Sequence, residues 1–300
     1  MLVSIIVVSY NAEDYIAECL DSILKQDYRN IELIVTDDNS KDRTLDIVND
    51  WARHHSHRFS NLEILTVDHN TGVASNCNRG AKAAHGDFFK FIAGDDYLYL
   101  NTSISDLVDS AIKSNLKIMT SNVVEDIDGM LCKPKYDFSN ILSKTQFSPE
   151  TQFKYLLHAN FINACTVLFE RSFFMEVGGY DESIPMVEDA PMWLKCTRMG
   201  HTIGYLNKPT VAYRKHSGSL VAIYKTKINV RYLKDQVSLL EKYRIPYASG
   251  GLKIILRLMR YYLATFLSLY ESNPNCSMYH YNIYRFLKRP LNLYIYMKNK

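Results

Sequence analysis

The chain has 300 residues, of which 47% are hydrophobic and 22% are charged. This composition provides enough apolar surface for a sizeable core and excludes a disordered or collagen-like chain. The formal net charge of +3 conceals an asymmetry, because residues 221–300 hold 14 Lys and Arg but only 3 Asp and Glu. The six cysteines are scattered without CxxC or zinc-type spacing, which favours reduced thiols in a cytoplasmic protein.

Strand-like and helix-like patterns alternate over the first hundred residues. We predict strands at 3–9, 31–36, 62–67 and 88–93, separated by helices at 13–26, 41–54 and 73–84. Apolar residues recur at helical spacing in the first helix, whereas β-branched and aromatic residues dominate the strands. The alternation predicts an α/β fold with a parallel sheet and right-handed crossovers.

The rest of the chain is less regular. We predict a strand at 117–124, a polar loop at 125–147, a strand at 165–169, and helices at 190–199, 221–243, 250–271 and 277–288. Ser148 and Pro149 indicate another helix start, with Ser as the N-cap and Pro in the first turn. Met1 leads directly into the first strand, so no secretory signal is expected. Charged residues interrupt every long apolar stretch, so no transmembrane helix is expected either.

Two pairs of aspartates follow predicted strands. Asp37 and Asp38 close the second strand, and Asp95 and Asp96 close the fourth. Open α/β sheets bind ligands beyond the carboxyl ends of their strands, where these four carboxyl groups would converge. A divalent cation would compensate this concentration of negative charge and would in turn neutralise a diphosphate.

Several motifs occur in an order that is specific as a set, although each is weak alone. They are residues 3–11, 20–26, 32–40, 70–74, 78–80, 86–87, 94–96, 178–182 and 188–189. With these motifs the chain resembles the inverting family 2 glycosyltransferases that build bacterial O-antigens, capsules and related polysaccharides. The resemblance implies a GT-A fold, in which a Rossmann-like, mostly parallel sheet carries helices on both faces.

The resemblance also implies a domain organisation. A catalytic domain would span 1–220, with a nucleotide-sugar half at 1–100 and an acceptor half at 101–220. A basic, Tyr-rich helical tail would follow at 221–300.

A UDP-sugar is the donor that the resemblance implies. Asp38 would accept a hydrogen bond from uracil N3–H, a donor that cytosine lacks, and a buried polar group left unpaired discriminates strongly between bases. Ser9 and Asn11 would hold the base from the other side. Asn70 and Asn78 would fix the loop on the nucleotide side. The alternative for the first acidic pair is that it merely caps the next helix.

By the same resemblance, Asp96 would bind Mn²⁺ or Mg²⁺ directly, and Asp95 would contact the ribose or the metal shell. His216 is a candidate metal ligand, because residues 213–219 resemble a segment that closes over the diphosphate; a purely structural His is the alternative. The family often carries Asp at the position of Ala93. The alternative for the second pair is a solvated turn, since Gly-Asp-Asp-Tyr is suited to one.

Asp189 is the candidate catalytic base. Direct displacement at an anomeric carbon needs one group to take the proton from the acceptor hydroxyl, and the resemblance assigns that role to this position. Glu188 would orient the base or contact the acceptor. Because carboxylates also favour helix N-termini, simple capping is the alternative for both.

The tail contains an amphipathic helix. Lys253, Arg257 and Arg260 share one helical face, and apolar residues fill most of the remainder. This pattern suits an anionic membrane surface, and the family's acceptors are saccharides linked to polyprenyl diphosphate. We therefore expect a peripheral protein at the inner face of the plasma membrane. Packing on the catalytic domain or on a second subunit, as in a homodimer, is the alternative.

Two other function classes predict different features. A nucleotidyltransferase predicts a Gly-, Lys- or Arg-rich loop after the first strand, whereas residues 9–14 are acidic and lack glycine. A nucleic-acid-binding protein would use the basic tail, but the remaining 220 residues are acidic overall. We therefore expect no nucleic acid partner.

Overall fold

The computed structural model describes residues 1–134, 137–145, 148–216 and 228–299. Its strands are β1 (Val3–Ser9), β2 (Ile31–Asp37), β3 (Asn61–Leu65), β4 (Phe88–Ala93), β5 (Tyr97–Leu98), β6 (Ile118–Ile127), β7 (Met130–Cys132), β8 (Leu168–Glu170) and β9 (Gly204–Lys215). They form one mixed sheet in the order β3-β2-β1-β4-β8-β6-β9-β5, with β7 paired to β6. The first four strands are parallel, which confirms the predicted parallel half.

The helices are α1 (Ile16–Leu24), α2 (Thr44–His55), α3 (Val73–Ala83), α4 (Ser103–Ser114), α5 (Ser139–Thr145), α6 (Pro149–Leu156), α7 (Arg171–Glu176), α8 (Asp189–Arg198), α9 (Val230–Leu239), α10 (Gly250–Ser272) and α11 (Tyr279–Asn299). A π-helical turn, Leu240–Arg244, follows α9. The predicted start of α6 is confirmed, because Ser148 Oγ accepts a hydrogen bond from the Thr151 N–H at 3.2 Å.

Helices cover both faces of the sheet because successive strand residues point to opposite sides. Ile6 and Ile34 belong to a core that includes Trp193 of α8. Their neighbours Ile5 and Leu33 belong to a second core with α1. The GT-A architecture expected from the motifs, a sheet with a parallel half between helical layers, is therefore present.

The register of the central strands brings the acidic pairs together. Ser9 lies opposite Asp37, and Val8 lies opposite Ala93, so β1, β2 and β4 end almost level. The Asp38 N–H then donates to the Ser9 carbonyl at 3.0 Å. Both acidic pairs consequently follow the same edge of the sheet, on either side of β1.

The middle of the chain differs from the sequence prediction. The long strand β9 was not predicted, because Asn207, Lys208 and Pro209 interrupt its apolar pattern where its register against β6 shifts. The predicted polar loop at 125–147 contains β7 and α5. The strand predicted at 165–169 begins only at Leu168, after a short 3₁₀ turn.

The C-terminal helices form a third core and pack on the sheet domain. Their buried residues include Leu240, Leu256 and Leu263. Of the helix predicted at 221–243, the part at 221–227 lies outside the described residues, whereas the helix predicted at 277–288 extends to Asn299. Within the described ranges, no helix is both long and apolar enough to span a bilayer.

Candidate active site

Ser9 and Asn11 shape the loops beside the first acidic pair. Ser9 Oγ donates to Asp37 Oδ2 at 3.0 Å, and Asp37 Oδ1 accepts from the Ser40 N–H at 2.8 Å. Asn11 adopts a left-handed conformation with φ of 50°, and its Oδ1 accepts from the Lys41 N–H at 2.8 Å. These contacts fix the loops after β1 and β2 against each other.

Asp38 is buried and organises the loop after β3. Its carboxylate accepts from the N–H groups of Thr71 and Gly72 at 2.9 and 2.8 Å and from Thr71 Oγ1 at 2.6 Å. Arg79 Nη2 lies 3.3 Å from Asp38 Oδ1. Because a carboxylate offers about four acceptor positions, a contact to uracil requires exchange of one of these partners. The predicted uracil contact stays a prediction.

Arg79 is a further residue of this site, and the sequence did not single it out. From α3 its guanidinium reaches Thr36 Oγ1 at 3.0 Å, Asn76 Oδ1 at 2.5 Å and the Asp37 carbonyl at 3.3 Å. It therefore supplies positive charge behind the first acidic pair. The motif at 78–80 contains Arg79 but does not reveal this role, because the partners come from β2 and from its own helix.

Asn70 and Asn78 have different surroundings. Asn70 is exposed in the loop before α3. Asn78 is buried, and its amide donates to the Tyr180 carbonyl and to Glu182, both at 2.9 Å, while its Oδ1 accepts from the Tyr180 N–H at 2.9 Å. Asn78 thus attaches the 179–182 turn to α3. These hydrogen bonds do not involve the loop on the nucleotide side.

In the second acidic pair, the surroundings disfavour the ionised form of Asp96. Asp96 is 2% exposed, and burial followed by the nearby charge of Asp95 raises the pKa of its carboxyl group well above the usual range. The buried Lys90 of β4 opposes this effect and donates to the Phe91 carbonyl at 3.1 Å and to the Cys165 carbonyl. Burial also lowers the pKa of Lys90 to about 8.

Arg214, near the end of β9, holds the second pair in place. Its backbone N–H donates to Asp96 Oδ1 at 2.9 Å, and its guanidinium donates to the Asp95 carbonyl at 2.8 Å. The guanidinium lies between the rings of Tyr15 and Tyr97, with centroid distances of 4.8 and 5.0 Å. This arrangement excludes the alternative of a freely solvated turn.

The surroundings of the second pair fit a divalent cation. His216 Nε2 lies 3.1 Å from Asp95 Oδ2, and its ring packs on Tyr15. Within the described residues, no three His, Cys, Asp or Glu side chains are already arranged as a metal site. Mg²⁺ and similar hard cations commonly combine one or two protein carboxylates with substrate phosphates and water, so Asp96 and Asp95, with His216 beside them, are adequate ligands.

Asp189 begins α8 and is partly buried. Its Oδ1 accepts from the Ala190 N–H at 2.7 Å, and its Oδ2 accepts from Asn160 Nδ2 at 2.5 Å. Burial raises the pKa of Asp189. Burial and the charge of Asp189 raise the pKa of Glu188 to about 8, so the pair retains a proton near neutral pH. Asn160 was not predicted, since residues 158–163 carry no recognisable motif.

The acids at 188–189 lie on the same side of the molecule as the first acidic pair. Cys77 of α3 is buried. Burial raises the pKa of its thiol, and the charges of Glu188 and Asp38 raise it further. The backbone agrees, because the Ala74 N–H donates to the Pro185 carbonyl at 3.2 Å. The nucleotide side and the candidate base therefore border one region at the start of α3.

Comparison with known proteins defines the class of this protein. The sequence model of glycosyl transferase family 2 matches residues 4–178, which is more than half of the chain. The chain belongs to this family and is a glycosyltransferase. This result decides the enzyme class against the nucleotidyltransferase alternative.

Two relatives illustrate the match in sequence. EpsJ of Bacillus subtilis, described as an uncharacterized glycosyltransferase, is 29% identical over 281 residues, which cover 91% of this chain and 79% of EpsJ. WfaP of Escherichia coli is 29% identical over 225 residues, which cover 74% of this chain and 80% of WfaP. WfaP is described as a UDP-Glc:alpha-D-GlcNAc-diphosphoundecaprenol beta-1,3-glucosyltransferase.

Two solved structures show the same fold. TarS 1–349 of S. aureus, in complex with UDP-GlcNAc, has a TM-score of 0.62 and 20% identity, with 88% of this chain and 72% of that chain covered. The mannosyltransferase PcManGT of Pyrobaculum calidifontis, in complex with GDP-Man and Mn²⁺, has a TM-score of 0.63 and 18% identity, with 99% and 85% covered. At these identities the likeness establishes the GT-A fold alone.

Proposed function

We propose that this glycosyltransferase moves a sugar from UDP to a lipid-linked saccharide in surface-polysaccharide synthesis, with a divalent metal and with inversion at the anomeric carbon. The observation that carries the proposal is the level ending of β1, β2 and β4, because of which both acidic pairs follow one edge of the sheet. The description of WfaP, which names UDP-Glc and a diphosphoundecaprenol acceptor, supports the choice of donor and acceptor.

In the proposed reaction Asp189 takes the proton from the acceptor hydroxyl. The oxygen forms a bond to the anomeric carbon while the bond to the UDP oxygen breaks, and UDP leaves with that electron pair. One displacement without a covalent intermediate inverts the configuration. A raised pKa makes Asp189 a stronger base near neutral pH, and Asn160 holds its second oxygen in a fixed direction.

The donor would lie across the two acidic pairs. Ser9, Asn11 and Asp38 would bind the uracil, with Arg79 balancing the charge of Asp38. A cation bound by Asp96, beside Asp95 and His216, would neutralise the charge that develops on the departing diphosphate. Arg214 would keep both carboxylates in position during this change.

A membrane-facing helix supports the lipid-linked acceptor. One side of α10 is buried through Leu256, Leu263 and neighbouring residues. Another side exposes Ile254, Leu258 and Tyr261, with relative exposures of 61%, 41% and 56%. An exposed apolar stripe beside basic residues suits the interface of an anionic bilayer, so we place the enzyme at the inner face of the plasma membrane.

Calorimetric titration with UDP tests the donor site. Wild-type protein should bind UDP in the presence of Mn²⁺ and more weakly in EDTA, and Asp96→Ala should remove the metal-dependent part. Asp50→Ala, an exposed acid on α2, is the matched control and should bind like wild type. Metal-independent binding of equal strength, or no binding of UDP, would contradict the proposal.

Turnover tests the acceptor. A UDP-sugar panel offered with short-chain saccharide diphosphate lipids should give transfer for at least one pair, and proton NMR of the product should show the inverted anomer. A retained configuration would exclude the single displacement.

A further inference from the structure

Arg244 is a buried charge with no ion pair or side-chain hydrogen bond among the described residues. It closes the π-helical turn after α9 and is 6% exposed. Its Nε has no hydrogen-bond partner within the described residues, and its guanidinium forms no ion pair with any of them. Burying an unpaired charge costs several kcal/mol, so a buried guanidinium of this kind is suited to an anion that arrives with a ligand.

The turn that carries Arg244 is firmly attached on both sides. Tyr243 Oη donates to Asp181 Oδ2 at 2.8 Å, and Lys242 Nζ donates to Ser183 Oγ at 2.7 Å. On the far side, Arg198 of α8 packs on the ring of Tyr247 at 4.6 Å and donates to its hydroxyl at 2.6 Å. Loose packing therefore does not account for the position of Arg244.

Arg244 interacts electrostatically with the candidate base but forms no hydrogen bond or ion pair with it. The charges of the two groups influence each other, but the hydrogen bonds of the Asp189 carboxylate go to Asn160 and to the backbone of Ala190. A second nitrogen in the same region is also unsatisfied, since His158 Nδ1 is buried and has no partner in the described parts of the chain. Burial and the charge of Arg244 both disfavour protonation of His158 and lower its pKa.

We propose that Arg244, assisted by His158, binds the phosphate of the acceptor. This inference rests on the proposed function. If Asp189 takes a proton from a hydroxyl of the acceptor sugar, a phosphate on the anomeric carbon of that sugar lies only one sugar ring away. A guanidinium matches phosphate oxygens in a two-pronged geometry, and a neutral imidazole can donate one further hydrogen bond.

The neighbouring helices favour a lipid-linked phosphate over a free one. Arg244 is in electrostatic contact with Tyr284 of α11, a helix that also exposes Phe286, Leu293 and Met297. The turn is followed by α10, with its exposed apolar stripe. A diphosphate held at Arg244 would thus have apolar helix surfaces nearby for its lipid chain.

Farnesyl diphosphate is a probe that does not require knowledge of the sugar. It is titrated calorimetrically into protein saturated with UDP and Mg²⁺, so that the donor site is filled. Wild type should bind it, and inorganic diphosphate should bind more weakly. Arg244→Met should weaken farnesyl diphosphate binding by about tenfold or more, the usual effect of losing a charge-assisted hydrogen bond. Arg53→Met, an exposed arginine on α2, is the matched control and should leave it unchanged.

Thermal melting separates this role from a structural one. Because Arg244→Met removes an unpaired buried charge, the melting temperature of the ligand-free variant should stay level or rise. A fall in melting temperature together with weaker UDP binding would assign Arg244 a structural role and overturn the proposal. If Arg244→Met does not fold, Arg244→Lys replaces it and should weaken farnesyl diphosphate binding without affecting UDP.

The outcomes distinguish this proposal from the proposed function. Unchanged farnesyl diphosphate affinity in the Arg244 variants, or no binding by wild type, overturns the phosphate site while UDP binding leaves the donor assignment intact. Equal affinity for inorganic diphosphate assigns the site to a free phosphate and excludes the lipid-linked source. Failure of wild type to bind UDP removes the proposed function itself.

Discussion

Asp189 and Glu188 are adjacent in the chain but are held differently. Asp189 accepts two hydrogen bonds, from Asn160 and from the backbone of Ala190, whereas the Glu188 side chain makes no capping hydrogen bond to α8. The shared burial keeps one proton on the pair, and the hydrogen bonds favour the ionised form at Asp189. This difference supports the proposal that Asp189 acts as the base while Glu188 keeps the shared proton.

Asp189→Asn should separate binding from transfer. Asn keeps the size of the side chain but cannot take a proton, so the rate of transfer should fall by about 10²- to 10⁴-fold. UDP affinity, measured calorimetrically, should stay at the wild-type value. Glu150→Gln, an exposed acid in the first turn of α6, is the control. Normal turnover by Asp189→Asn would refute the assignment of the base.

Glu188 should make the stability of the protein pH-dependent. The pKa of its carboxyl is raised from 4.5 to about 8 in the fold, so between these values the folded state binds a proton that the unfolded state has released. Stability from this group is therefore present at low pH and declines as pH rises through that window. Glu188→Gln should melt close to wild type near pH 5 and at a higher temperature above about pH 8. A variant whose melting temperature follows wild type at both values would contradict the shift.

At the scale of elements, β9 and α10 contribute features that short motifs do not describe. The end of β9 places Arg214 against the second acidic pair. It does so because β9 pairs with β5, the strand that directly follows that pair in the chain. The helix α10 has one buried and one exposed apolar side. The first feature supports the metal site, and the second supports the membrane proposal.

Arg214→Met should weaken metal-dependent UDP binding. The change removes the hydrogen bond to the Asp95 carbonyl and the stacking between Tyr15 and Tyr97, so the loop that bears the acids loses its support. We expect a loss of about tenfold in UDP affinity with Mn²⁺ and little change in EDTA. Arg53→Met, an exposed arginine on α2, is the matched control. Equal losses with and without metal would show that the effect is not exerted through the metal site.

The exposed stripe of α10 should govern membrane binding. Replacing Ile254, Leu258 and Tyr261 together by Ser removes apolar side chains that are already solvated, so the melting temperature should hardly change. Co-sedimentation with phosphatidylglycerol vesicles should fall strongly. Ile112→Ser, an exposed apolar residue on α4, is the control. Unchanged sedimentation would remove the membrane assignment, and a loss of dimer in light scattering would assign the stripe to a second copy.

At the scale of the whole molecule, the C-terminal helices and the sheet domain support each other. The Met186 N–H donates to Asp235 Oδ2 at 2.7 Å, and Tyr243 holds Asp181. Both contacts act on the segment that leads into the candidate base. We propose that the catalytic unit includes at least α9 and the following π-helical turn, beyond the boundary at 220 expected from the motifs.

Truncation tests this view of the domain boundary. A chain ending at residue 220 should melt at a lower temperature than the full chain and should lose transfer activity, because residues 181–187 lose their contacts. A chain ending at residue 249 keeps those contacts and should retain more UDP binding than the shorter one. Full stability and activity of the shorter chain would show that the boundary at 220 is sufficient.

The sequence alone determined the parallel half of the sheet, the acids at strand ends and the family. These features are local. Each strand run stops at polar residues, and each motif lies within ten consecutive residues. The residues that define such a feature therefore all lie in one short segment. The positions of Asp38, Asp95, Asp96 and Asp189 therefore followed from patterns, although their partners did not.

Only the tertiary structure decided which distant groups complete the site. Arg79, Asn160 and Arg214 act through partners in other segments. Arg244 is buried and forms no ion pair among the described residues, and β9 keeps its pairing with β6 across an interrupted apolar pattern. Contacts of this kind depend on how whole elements pack, and a single Arg or Asn in a sequence is most often a solvated surface residue. Packing made these four side chains candidates for function, because it brings their polar groups, buried or half-buried, into the surroundings of the carboxylates.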